Sequence, residues 1–190
     1  MTKLRLILTT LIIAGSTVSG SHLMALDQQN RISPHETISS VVDGNQITIV
    51  YGRPRSRDPK TGESRKIWGT LVPYGKVWRT GADEATLFTT QQPIVMGGTT
   101  IPAGTYSLFT LPDKNGTAKL IVNKQVGQWG TSYNKELDFA RIDLEKENLT
   151  EPVDQFTMAI KKLSLGVSVV EMMWENTRFL VGFTVTTSRQ

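Results

Sequence analysis

The chain has 190 residues, of which 38% are apolar and 20% charged, a balance too apolar for a disordered protein and a length that fits one domain with at most a tail. It has no Cys, which excludes a disulfide scaffold, thiolate metal sites, a Cys nucleophile and a lipid anchor on Cys, and its two His exclude any three-His site. The formal charge is +4, but residues 1–25 hold Lys3 and Arg5 and no acid; the rest carries 19 basic against 17 acidic side chains, too small a surplus to argue for nucleic acid or anionic lipid as partner.

Residues 1–25 read as an export signal. Two positives lie in the first five residues, residues 6–15 are apolar apart from Thr9 and Thr10, and small residues follow from Ser16 to Ser21. This is the order of a secretory signal, with cleavage fitting after Gly20 or after Ala25. The apolar stretch is shorter than the ~20 residues a helical span needs, and no later segment reaches that length. The alternative to cleavage is a retained tether. Residues 26–36 are polar, include Pro34, and read as a linker.

From residue 37 the pattern is that of strands. Residues 37–42 and 47–52 meet through Asp43-Gly44-Asn45, a hairpin signal. In the second of them Ile47, Ile49 and Tyr51 alternate with Thr48, Val50 and Gly52. Short strands are expected over 85–90, 94–96, 105–111 and 118–123, separated by Gly97-Gly98, Pro102-Ala103-Gly104 and the polar stretch 112–116. Residues 134–141 suit one short helix, followed by a strand over 142–145. Phe156, Met158 and Ile160 face one way and Thr157, Ala159 and Lys161 the other; Phe179, Val181, Phe183 and Val185 repeat the pattern. Successive side chains of a strand point to opposite faces, so this alternation marks half-buried antiparallel strands. Residues 167–174 are more continuously apolar and read as a central strand covered on both faces, with a buried helix turn as the alternative. The expected architecture is all-β, an antiparallel sandwich or partly open barrel over residues 37–187, with at most one short helix.

Two stretches carry the functional interest. Residues 53–66 hold Arg53, Arg55, Arg57, Lys60, Arg65 and Lys66 against Asp58 and Glu63, on a loop made by Pro54, Pro59 and Gly62. They serve either as an anion-facing loop or as a solvated surface. Residues 67–86 follow, IWGTLVPYGKVWRTGADEAT. This block resembles the domain of unknown function 2911 family, found mainly in exported bacterial proteins. The resemblance also takes in Tyr51-Gly52-Arg53-Pro54, residues 103–109, Asn123, Trp129-Gly130, Asp138 with Arg141, and Trp174-Glu175, and so covers roughly residues 35–186. It implies export and no particular reaction. One departure is visible: residues 54–67 are longer than family members usually show.

Within the block the candidate ligand-binding residues are Arg53, Tyr74, Trp78, Arg79, Glu84 and Tyr106. Trp78 and Trp174 offer flat apolar faces that either anchor a core or stack on a ligand. Arg79 either forks onto the carboxylate of Asp83 or Glu84 or joins Arg53 on an anionic ligand. Tyr51, Tyr74 and Tyr106 either supply hydroxyls to a pocket or cap the core. Catalytic patterns are scarce. There is no Gly-x-Ser-x-Gly elbow, phosphate loop, dinucleotide fingerprint or calcium loop, and His35-Glu36 lacks the second His of a zinc-protease helix. No cofactor and no metal site is expected. Asn115-Gly116-Thr117 and Asn148-Leu149-Thr150 match the glycosylation pattern, which has no consequence in a bacterial host. Two readings follow. One is an exported β-domain that binds a small polar or glycan-like ligand or a cell-envelope partner. The other is a hydrolase or lyase with Glu84 as acid or base and Arg53 and Arg79 holding an anionic or sugar substrate.

Overall fold

Alternating residues build nine antiparallel strands in a computed structural model that describes residues 31–163 and 166–186. The expected export signal lies outside the described residues. In chain order the strands are β1 (His35–Val42), β2 (Asn45–Gly52), β3 (Thr86–Thr90), β4 (Ile94–Met96), β5 (Thr99–Ile101), β6 (Gly104–Pro112), β7 (Ala118–Asn123), β8 (Asp138–Lys162) and β9 (Ser168–Val185). They form one sheet in the order β1-β2-β3-β6-β7-β8-β9-β4-β5, which does not close into a barrel. The all-β antiparallel class expected from the sequence is the one observed. Among the described residues no helix is long and apolar enough to cross a membrane.

The β1–β2 hairpin turns at Asp43 and Gly44, with φ of 46° and 80°. Positive φ at both positions matches the right-handed strand twist. Beyond it, Ile47, Ile49 and Tyr51 are buried as their spacing predicts. β1 starts at His35, inside the stretch expected to be linker. The helix expected over 134–141 is a single 3-10 turn, Lys135–Leu137, capped by the Asn134 side chain on the Glu136 N–H; Asp138 already opens β8. Asp138 accepts from Asn123, Tyr133 and Arg141, and those tertiary bonds end the turn.

β8 and β9 are longer than the alternation suggests. β8 runs for 25 residues. Up to Leu144 it pairs with β7, and from Glu145 onward with β9. Two register shifts, between Asn148 and Val153 and between Val153 and Thr157, bend it where Pro152 breaks the ladder. β9 joins the apolar run after residue 167 to the final alternating segment. Its core-facing residues are Val170, Met172 and Trp174, then Phe179, Val181 and Phe183. The parity changes between the two sets, and Glu175, at φ 50°, stands at the change. The bend lets both halves of the sheet share one core: Tyr51 of β2 packs edge-on against Phe156 of β8 at 5.8 Å.

Candidate functional site

The long connection between β2 and β3 builds the site. Arg53 and Pro54 extend β2 along β8: the Phe156 N–H donates to the Pro54 carbonyl at 2.9 Å, and Arg55 pairs with Gln155. Residues 57–64 then fold into a small hairpin, with the Asp58 N–H donating to Glu63 and the Gly62 N–H to Asp58. Ile67 and Val72, both fully buried, pin the next turn. Trp78 locks onto β6 through reciprocal backbone bonds with Thr110, each 2.8 Å. The following segment is tight and strained. Thr80 and Asp83 sit at φ 53° and 63°, positions costly for a side chain and above all for a β-branched one. It packs against Gly52, whose missing Cβ would stand 2.2 Å from the Ala82 carbonyl oxygen. Thr80 is held from both sides: its hydroxyl meets that of Thr110 at 2.7 Å, and its carbonyl accepts from the Thr86 hydroxyl.

These elements enclose a cleft of about 550 Å³. Five cationic side chains line it (Arg53, Arg55, Lys60, Arg65 and Arg79) against two acids, Asp58 and Asp83. Its apolar lining includes Trp78 and Trp174, which stack 5.8 Å apart. Two of the cations are neutralised from outside the cleft, Arg53 by Glu36 at 3.3 Å and Arg55 by Asp154 at 3.4 Å. Arg53 is further tied to β8, donating to the Phe156 carbonyl and the Thr157 hydroxyl. Asp58 is held ionised: the N–H groups of Lys60 and Thr61 lower its pKa. Arg79 differs from the rest. The one side-chain hydrogen bond it makes among the described residues goes to the Asp83 backbone carbonyl at 3.2 Å. Burial pushes its guanidinium below the ordinary value, and the Asp83 charge only partly restores it. Its stem lies against Gly130, where a Cβ would come within 2.3 Å of its Cδ.

Of the two alternatives for Arg79, the fork onto a carboxylate does not form among the described residues. The Asp83 carboxylate turns to His35 at 3.4 Å instead, and the Glu84 carboxylate also approaches His35, at 3.3 Å. Of the six candidate residues, the cleft gathers Arg53, Trp78 and Arg79. Glu84 is not among its lining residues. Tyr74 is 43% exposed and lies over Gly69, outside the cleft. Tyr106 is buried beside Phe139 and donates to the Pro102 carbonyl; it caps the core. Asp83, Trp174, Lys60 and Arg65 complete the cleft. Trp174 and the charged loop were visible as types of interest, whereas nothing in the spacing places β9 beside residue 78. His35, in the stretch expected to be linker, holds the outer side of the strained segment.

A family model described as Protein of unknown function (DUF2911) matches residues 33–183, most of the chain. The chain belongs to that family, as the block around Trp78 and Arg79 implied. No match was found among curated proteins or among solved structures.

Proposed function

We propose that this is an exported β-domain whose basic cleft binds a small anionic ligand, a carboxylate or phosphate carried on a flat or sugar-like body. The observation that carries the reading is Arg79. Its guanidinium lines a cleft, is partly stripped of water, and uses one of its five N–H donors on a backbone carbonyl. A partly buried guanidinium with no carboxylate bonded to it is costly, and an oxyanion in the cleft relieves that cost through a bidentate bond. Arg65 and Lys60 add positive potential on the facing hairpin. The half-buried indole of Trp78, backed by the buried ring of Trp174, supplies apolar surface for the ligand body. A cleft of this volume is in the ~300–1,000 Å³ range of small-molecule sites.

The test is a thermal-shift titration with glucuronate, succinate and inorganic phosphate. A ligand at a hundredfold its dissociation constant stabilises by about 2.7 kcal/mol, so a binder is plainly visible. The shift is expected to vanish in Arg79→Met and to weaken with added salt. If none of the three anions shifts the wild type, the reading fails. Export is tested by mass spectrometry of the protein recovered from outside the cytoplasm; an intact Met1 end there contradicts a cleaved signal.

A further inference from the structure

A second cleft, of about 520 Å³, lies on the other side of the 57–64 hairpin. Trp68 and Glu175 line it, together with Ser56, Ser64, Asn176 and Thr177. Asp154 is part of the wall between the two clefts. Its side chain lines this one, while its carbonyl accepts from the indole N–H of Trp174, which lines the other.

Glu175 is the unusual group here. It sits within a strand of 18 residues at φ 50°, a left-handed conformation that disfavours any side chain. It is paired with Val153 alone, between two register shifts. Among the described residues its carboxyl has no hydrogen-bond partner, and burial raises its pKa. Beside it the Trp68 ring lines the cleft, its indole N–H turned away from solvent and without an acceptor among the described residues. A strand that needs a parity change at this point is served best by glycine. A glutamate held there at a cost to the backbone points to work done by its side chain.

The charges define what fits. Arg57 and Asp154 are the other charged side chains of the cleft. Arg57 donates to the Gly62 carbonyl, and Asp154 is bound by Arg55 and the Ser56 hydroxyl. A cationic ligand meets Arg57, and an anionic one meets Glu175 and Asp154. The unfilled hydrogen-bonding capacity is uncharged or carboxylic: the Glu175 carboxyl, the Ser64 hydroxyl and the Asn176 amide. We propose that this cleft is a second ligand site, separate from the basic one, and that it takes a neutral, hydroxyl-rich molecule of sugar size, bonded by Glu175 and packed against the Trp68 ring.

The test uses the full chain and the neutral disaccharides cellobiose, maltose and chitobiose, read by thermal shift and calorimetry. The informative variant is Glu175→Gly, which deletes the carboxyl and suits the backbone. It is expected to melt at or above the wild type and to lose the sugar response. Glu175→Gln, which keeps hydrogen-bonding atoms, is expected to bind within about tenfold of the wild type. Arg79→Met is expected to bind the sugar normally, so failure of the basic cleft and failure of this one are told apart. The proposal is overturned if no disaccharide binds, or if Glu175→Gly binds as the wild type does. It is also overturned if Glu175→Gly melts below the wild type, because the side chain then serves the strand.

Discussion

Trp78 and Trp174 lie nearly parallel, ring centroids 5.8 Å apart and planes 20° from each other. One indole comes from the loop before β3, the other from β9, and Trp68 and Phe156 meet both edge-on. The pair is at once the floor of the basic cleft and part of the core. Core anchor and ligand platform are thus two faces of one cluster. Trp174, with 1% of its surface exposed, is expected to cost about 3–5 kcal/mol on replacement by Ala. Urea unfolding measures this, and a loss under about 1 kcal/mol contradicts its role as anchor.

Arg79 has a different balance. It gives up one charge-assisted hydrogen bond to the Asp83 carbonyl and breaks no carboxylate pair. Arg79→Met is therefore expected to cost no more than about 1.5–3 kcal/mol, against the ~3–5 kcal/mol of a severed buried ion pair. A loss in the larger range identifies Arg79 as a clamp of the fold. Arg79→Lys keeps the charge but not the fork, and is expected to bind anions more weakly than the wild type.

Two glycines hold the strained segment in place by lacking a side chain. A Cβ on Gly52 would stand 2.2 Å from the Ala82 oxygen, and one on Gly130 would stand 2.8 Å from the Asp83 oxygen. Backbone atoms cannot step aside as side-chain tips do. Gly52→Ala and Gly130→Ala are each expected to destabilise by about 1–3 kcal/mol or more. Both are expected to weaken anion binding, since each shifts the turn that carries Arg79. Gly44→Ala, at an open hairpin tip, serves as the control: it loses stability through its positive φ and leaves binding intact.

Tyr51 donates to Glu36 at 2.6 Å and accepts from the Met158 N–H at 2.9 Å. Burial, then the Glu36 bond, push its phenol up to about 12 from 10.0. The unfolded chain loses that proton near pH 10, so the folded state holds one proton more between pH 10 and 12. Stability is then complete below pH 10 and falls as pH rises through that window, by on the order of 2 kcal/mol. Tyr133, whose phenol burial and Asp138 also push up to about 12, adds a smaller fall, because water screens it. Unfolding followed from pH 8 to 12 is expected to show less loss in Tyr51→Phe. An unchanged slope in that variant refutes the assignment.

Alternation along single strands was legible in the sequence because it depends only on which face is buried. Ile47, Ile49, Tyr51, Phe156, Met158, Phe179, Val181 and Phe183 all face the core as their spacing predicts. The bends were not legible. Pro152 marks the break in β8, yet nothing local says that the chain resumes the same strand after it. Glu175 hides the parity change in β9, because a glutamate gives no sign of positive φ as a glycine would. The basic cleft was legible in its parts, Arg53, Trp78, Arg79 and the charged loop. Its assembly depends on the approach of β2 to β8, a contact between residues about a hundred positions apart that no short window contains. Tyr74 and Glu84 share a sequence block with the cleft residues but point elsewhere, since neighbours on an irregular turn share no common face.

The length of β8 has a consequence for how the protein comes apart. One stretch of backbone supplies ladder partners to β7 at its start and to β9 over the remainder, so neither half of the sheet has its full set of neighbours without the other. No cut between residues 148 and 157 yields a piece that folds by itself. Loss of order in either half exposes the core of both, so the described domain is expected to melt as one cooperative unit.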